Sequence, residues 1–278
     1  MNPRDRQLFK HYPLNGTATL STGAVPTPYH IYNGYGAFIG GTADFAAVQN
    51  LLRHEQVIPV QTVAGHALMG IWICDFSDAN LGAHHELQFS IFVARQPVRD
   101  ISPHPLGFLA AMLNRPEMQM LCHGLWNNTA TVVAYNRESL SLNARLTTST
   151  IARMMQEMSF QFSDAASGSP LLTGKLAKPQ ATSWRASFAL LAQVGLGQTM
   201  RITRQPWVEM SVVNPLGVAL AHNAVARAMT KNAINNVRFF EPTSDLLTLG
   251  NTPYGVLSFQ PHFVQYMDGF KFVYLNPS

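Results

Sequence analysis

Charge is what this sequence has least of. Only 12% of its 278 residues are Asp, Glu, Lys or Arg, about half the share of an average soluble domain. Disorder couples high charge to low hydrophobicity, and here 47% of residues are hydrophobic, so the composition predicts a folded chain with much buried surface. Lysine is especially sparse, limited to Lys10, Lys175, Lys178, Lys231 and Lys271. The 19 Lys and Arg exceed the 15 Asp and Glu, but no basic run concentrates the excess, which argues against nucleic acid as a partner. Cysteine is limited to Cys74 and Cys122, far apart in apolar stretches. They read as buried free thiols in a reducing, cytoplasmic protein, and their spacing does not suit zinc.

Other absences narrow the function. No run of about eighteen apolar residues could span a membrane, and residues 1–16 lack the apolar core of a signal peptide. No glycine-rich phosphate loop with its lysine, dinucleotide fingerprint or nucleophile elbow is present. No cofactor and no metal are predicted, and the expected protein is soluble.

What is present is β-rich. Residues 1–32 read as an irregular arm, with Pro13, Pro26 and Pro28. An apolar run at 35–39 ends at Gly40 and Gly41, and Thr42 or Asp44 can cap a helix carrying Phe45, Val48, Leu51 and Leu52 on one face. Strands are predicted at 57–63, 66–74 and 86–94, with a turn at 75–82. In the third, Leu87, Phe89, Ile91 and Val93 alternate with Glu86, Gln88 and Ser90, so the carboxylate shares the second face of the strand. Further along, a short helix is expected at 106–113, a strand at 129–137, a helix from Ser149 to 158, and a hairpin across 165–169. A helix capped by Ser183 should stop at Gly195 or Gly197, followed by a strand at 200–213 broken at Pro206. A helix beginning at Asn214-Pro215 should run to about 232, and strands at 237–240, 254–259 and 270–275 close the chain. Many short strands without βαβ alternation predict one α+β domain over residues 1–278, built on a barrel-like sheet.

Two clusters carry possible chemistry. His84, His85 and Glu86 are adjacent, but strand alternation leaves only His84 and Glu86 on one face, too few ligands for a metal. Asn136-Arg137-Glu138 ends the strand expected at 129–137, where a structural ion pair is the plain reading.

The order of several short motifs resembles the acetoacetate decarboxylase superfamily. They are Tyr35-Gly36-Ala37-Phe38, the helix at 45–52, the strand at 68–75, Leu81-Gly82 with Glu86, Asn136-Arg137-Glu138, and the hairpin at 162–176. The resemblance spans about residues 30–180. It implies a large barrel-like sheet around a deep cavity, peripheral helices and a homo-oligomer. Decarboxylases of that family use a Schiff-base lysine, activated by a second lysine beside it. Alignment from Arg137-Glu138 puts Ala144 at the nucleophile position and Arg145 at the second cation. Alanine cannot form an imine. A family arginine aligns with Thr42 and a pocket glutamate with Met69, so the resemblance implies a less polar pocket. Lys175 is the one lysine considered as a relocated amine.

The expectation is therefore a lysine-independent lyase or cyclase/isomerase acting on a hydrophobic, polyketide-like keto or enol substrate of specialised metabolism. Glu86 would be its acid or base and Arg145 would steady an enolate or carboxylate, helped by Arg137 or Asn143. Met69, Ile71, Trp72, His84 and Phe92 would line the pocket. The alternatives are a non-catalytic binding protein that keeps the cavity and a decarboxylase using a relocated lysine.

Overall fold

The computed structural model describes residues 5–178, 184–197, 200, 207–215, 223–231 and 234–276. Its elements, in chain order, are α1 (Asp5–His11), β1 (Gly16–Leu20), β2 (Gly23–Thr27), β3 (Tyr29–Ala43), α2 (Phe45–Leu51), β4 (Ile58–Pro59), β5 (Ala67–Ala79), β6 (His84–Ala94), α3 (Gly107–Asn114) and β7 (Gln119–Asn127). They continue with α4 (Ala130–Glu138), β8 (Ala144–Arg153), β9 (Glu157–Asp164), β10 (Pro170–Ala177), α5 (Trp184–Val194), β11 (Val208–Val213), β12 (Val225–Lys231), β13 (Ile234–Phe239), β14 (Leu246–Leu249) and β15 (Gln260–Leu275).

The α+β class and the barrel are as the sequence predicts. Strands β7, β11, β12, β15, β3, β5 and β6 pair in that order, and β6 pairs back with β7, closing a seven-stranded barrel. Its one parallel seam is β7–β11. Strand alternation splits the apolar residues into two cores, one on each face of the sheet. Phe38, Leu68, Trp72, Phe92, Met120 and Phe263 fill the barrel interior. Met69, Ile71, Leu87, Phe89, Ile91 and Val93 form the outer core, covered by α2 and by the β9–β10 hairpin through Phe160 and Phe162. Helix α3 closes one end, its Phe108 ring packed against Phe38, Phe92 and Phe263. Helix α4 closes the other, with Tyr135 against Tyr29.

Several local expectations needed correction. Within the arm expected at 1–32, the described residues 5–32 form α1, the β1–β2 hairpin and the start of β3. Gly40 and Gly41 do not end β3 but lie inside it, where chains approach closely. A Cβ on Gly41 would sit 2.0 Å from the Gln260 carbonyl oxygen, and one on Gly40 would meet the Phe263 ring at 2.2 Å. The strand expected over 57–63 is reduced to the two-residue β4 with isolated bridges at Gln61 and Thr62. Strand β5 runs on to Ala79, and the turn is confined to the residues around Gly82 (φ +90°). There Asn80 accepts from the His30 backbone N–H and donates to the Pro26 carbonyl.

Residues 130–138 form a helix instead of a strand, burying Val132, Tyr135 and Asn136 at helical spacing. Packing overrides the β-branched local preference there. The reverse holds at 144–153, where a run rich in Thr and Ile forms β8 and the helix expected from Ser149 does not exist. Residues 225–231 are strand β12, not helix, and 255–257 are a 3-10 turn. Strands β7 and β14 were not foreseen. Helix α5 ends before Gly195 (φ +83°) as expected, while Ser183 and Pro206 lie outside the described residues. The helix capped by Asp44 and the 165–169 hairpin match their expectations.

Candidate active site

Strand β6 places its Leu87-to-Val93 series in the outer core, so Glu86, Gln88, Ser90 and Phe92 face the barrel interior. Glu86 pairs with Cys74 of β5 and Asn127 of β7 in the sheet register. Its carboxyl lines a small inner chamber of about 50 Å³, walled by Trp72, Cys74, Phe76, Gln88, Met120, Met210, Phe270, Phe272 and Tyr274, among others. Glu86 keeps an intermediate exposure, unlike its buried neighbours Leu87 and Gln88. A wider chamber of about 430 Å³ adjoins it, lined by Phe92, Leu109, Met112, Leu190, Val237 and Met267, among others. The two share Trp72, Met120, Met210, Thr230 and Phe270.

Burial in this apolar setting pushes the Glu86 carboxyl up to about 7, opposed by the N–H it accepts from Asn127. That bond, Asn127 Nδ2 to Glu86 Oε2, spans 3.0 Å, and Asn136 Nδ2 donates in turn to Asn127 Oδ1 at 3.0 Å. Among the described residues Glu86 forms no ion pair. His84, two positions away and buried, bonds through Nδ1 to the Gly82 carbonyl at 2.8 Å and through Nε2 to Tyr29 Oη at 2.6 Å. A carbonyl only accepts, so Nδ1 carries the proton and Tyr29 donates to Nε2. Burial lowers His84 to about 4, and the ring is neutral near pH 7. Two wall residues contribute donors with no partner, Trp72 Nε1 and Tyr274 Oη.

The structure brings together some of the residues singled out in the sequence and separates others. Glu86 and Trp72 line the inner chamber, and Trp72 and Phe92 line the outer one. His84 supports the closed end beside Tyr29. Met69 and Ile71 belong to the outer core and face away from the cavity. The interior positions of β5 are Leu68, Trp72, Cys74 and Phe76, so matching Met69 to a pocket glutamate is one residue out of phase. Ala144 is buried in the interior core, which turns Arg145 outward. Arg145 is exposed, 5.9 Å from the Trp126 ring centroid, and does not oppose the rise in Glu86. Arg137 and Asn143 lie together in a separate surface cleft of about 760 Å³ between the β1–β2 turn and α4. There Glu138 accepts from the Ser21 backbone N–H and hydroxyl.

No lysine among the described residues lines either chamber. Lys175 pairs with Glu157 at 2.5 Å on the β9–β10 hairpin. Lys271, between Phe270 and Phe272, donates to the Gly269 carbonyl, and the Lys231 side chain is outside the described set. Sequence reasoning missed Asn127 and Tyr274, and it read Asn136 as part of a strand-end motif without linking it to Glu86. Period-two spacing with Phe270 and Phe272 was a usable signal for Tyr274. Asn127 was hidden because β7 was not foreseen, and the inward placement of Asn136 because α4 was read as a strand.

No family model and no curated protein sequence matches the chain. Solved structures do. An acetoacetate decarboxylase from Legionella pneumophila subsp. pneumophila str. Philadelphia 1 aligns with a TM-score of 0.58 at 9% identity, over 100% of this chain and 95% of that one. A second acetoacetate decarboxylase structure aligns at 0.54 and 12% identity, over 90% and 88%. The enduracididine biosynthesis enzyme MppR, complexed with pyruvate, aligns at 0.52 and 9% identity, over 90% and 88%. At these identities the likeness is one of fold, and the chain has the acetoacetate decarboxylase-like fold that its motif order resembles.

Proposed function

We propose that the protein is a small-molecule enzyme that moves protons on an apolar carbonyl compound, with Glu86 as acid and base and without an imine intermediate. The observation that carries this reading is a lone carboxyl, raised to about 7, inside a chamber otherwise walled by apolar and neutral groups. A carboxyl with a pKa near the working pH can both take and return a proton, the requirement for general acid–base catalysis.

The chamber sizes support a division of labour. The inner chamber, about 50 Å³, accepts a small head such as a ketone and its α-carbon. The adjoining 430 Å³ accommodates the apolar remainder, within the usual range for small-molecule pockets. Glu86 takes an α-proton and returns it elsewhere on the enolate. Donors from Trp72 Nε1 and Tyr274 Oη stabilise the enolate oxygen once the wall shifts to admit ligand. Alanine at 144 supports a route without a Schiff base. Isomerisation, cyclisation, dehydration and retro-aldol cleavage of a polyketide-like substrate all use this equipment. One relative in fold was solved with pyruvate, itself a carbonyl compound.

The test is exchange of ketone α-protons into deuterated water, followed by proton NMR over a panel of apolar ketones and β-diketones. Glu86→Gln should reduce the exchange rate by on the order of a hundredfold or more, with the melting temperature not lowered. Equal rates in the two proteins would remove Glu86 from the chemistry. Binding of the panel without exchange would make the protein a carrier.

A further inference from the structure

We propose that Asn136 is a positioning residue for Glu86, acting through Asn127: it fixes the orientation of the Asn127 amide so that an N–H, and not a carbonyl oxygen, faces the carboxyl. The inference rests on Glu86 being the proton-transfer group and adds the device that sets its proton affinity.

The geometry is a buried chain of amides. Asn136 Nδ2 donates to Asn127 Oδ1 at 3.0 Å, and Asn127 Nδ2 donates to Glu86 Oε2 at 3.0 Å. Asn127 is 0% and Asn136 2% exposed, so neither can exchange its partner for bulk water. An asparagine amide has one accepting and one donating end. With the accepting end of Asn127 occupied by Asn136, only its donating end is left for Glu86. Asparagine is a poor choice for the buried face of a helix on propensity alone, yet α4 carries Asn136 there beside Val132 and Tyr135. Its backbone is also anchored, the carbonyl accepting from the Leu142 N–H at 2.8 Å.

The other titratable groups facing Glu86 do not perform this task. They are Tyr29 on β3, Cys74 on β5, Cys122 on β7 and Tyr274 on β15, together with His84 on its own strand. Burial raises the tyrosines and cysteines well above their ordinary values. His84 is lowered. All are therefore neutral near pH 7, and the Asn127 N–H is the group that opposes burial. Losing its fixed orientation should let Glu86 rise further.

The experiment follows the Glu86 carboxyl by carbon-13 NMR in protein labelled at glutamate, with Glu86→Gln identifying the resonance. Wild type should titrate near pH 7. Asn136→Leu, similar in shape but without an amide, should raise the midpoint by about half a unit or more. Asn127→Leu, which removes the donor itself, should raise it at least as much. Val132→Ala, on the same buried face of α4, should lower the melting temperature and leave the midpoint in place. If Asn136→Leu does not fold, Asn136→Ala is judged by the same criterion. A folded Asn136 variant with the wild-type midpoint overturns the positioning role while leaving Glu86 as the acid–base group. A wild-type midpoint near 4.5 instead overturns the reading of Glu86 itself.

Discussion

Ionising Glu86 inside the barrel costs free energy that the unfolded chain does not incur, because burial holds the folded-state pKa near 7 against an ordinary 4.5. The folded protein therefore keeps its proton over a pH window in which the unfolded chain has lost it. Stability from this group is fully present below about 4.5 and declines as pH rises to about 7. Glu86→Gln has no such proton to lose. Its stability relative to wild type should grow by on the order of 2 kcal/mol between pH 4.5 and pH 7.5, measured by urea denaturation at each pH. A difference constant across that range would mean that the carboxyl is solvated. His84 acts in the opposite sense, since its folded value is lowered to about 4. It contributes stability above about 6.5 that is lost as pH falls through 4. Glu86 was legible in the sequence because it opens a strand whose alternate positions are all apolar. Its partner Asn127 was not, because a single polar residue ending an apolar stretch carries no period to read.

At the scale of elements, legibility followed how far a segment's local preference agreed with its surroundings. Strand β6 and the β9–β10 hairpin were visible because alternation and turn residues point the same way. Helix α4 was misread because Val132 and Val133 favour a strand locally, while burial of Val132, Tyr135 and Asn136 requires a helix. The β3–β15 seam shows the complementary error. Its glycines looked like a strand end, yet they allow two backbones to approach within the space of a side chain. Gly41→Ala would place a methyl 2.0 Å from the Gln260 carbonyl oxygen, a backbone atom that cannot swing aside. The substitution should cost about 2 kcal/mol or more by chemical denaturation. Gly23→Ala, at a turn with open space around it, meets only the strain of a positive φ and should cost less. Equal costs would mean that the seam is looser than described.

For the whole molecule, the barrel explains why the two faces of one sheet had to be told apart before a site could be named. Met69, Ile71 and Arg145 were placed at the cavity from sequence order, and one residue of phase puts each on the outer side. Trp72, Phe92 and Glu86 share the inner phase and stay. The same closure places Glu86 among neutral groups, and the resemblance, from which Ala144 was matched to the nucleophile position, implies chemistry without an imine. Incubation with acetoacetate or a diketone plus borohydride should accordingly leave the protein mass unchanged, and a reduced adduct on any lysine would restore imine chemistry. The measurement closest to the central claim is the pH dependence of ketone α-proton exchange in wild type and Glu86→Gln. Wild-type exchange should rise with pH through a midpoint near 7, as the carboxyl loses its proton, and the Gln variant should be flat and near background. A wild-type profile without a midpoint near 7, or a Gln variant that reproduces it, would contradict proton transfer by Glu86.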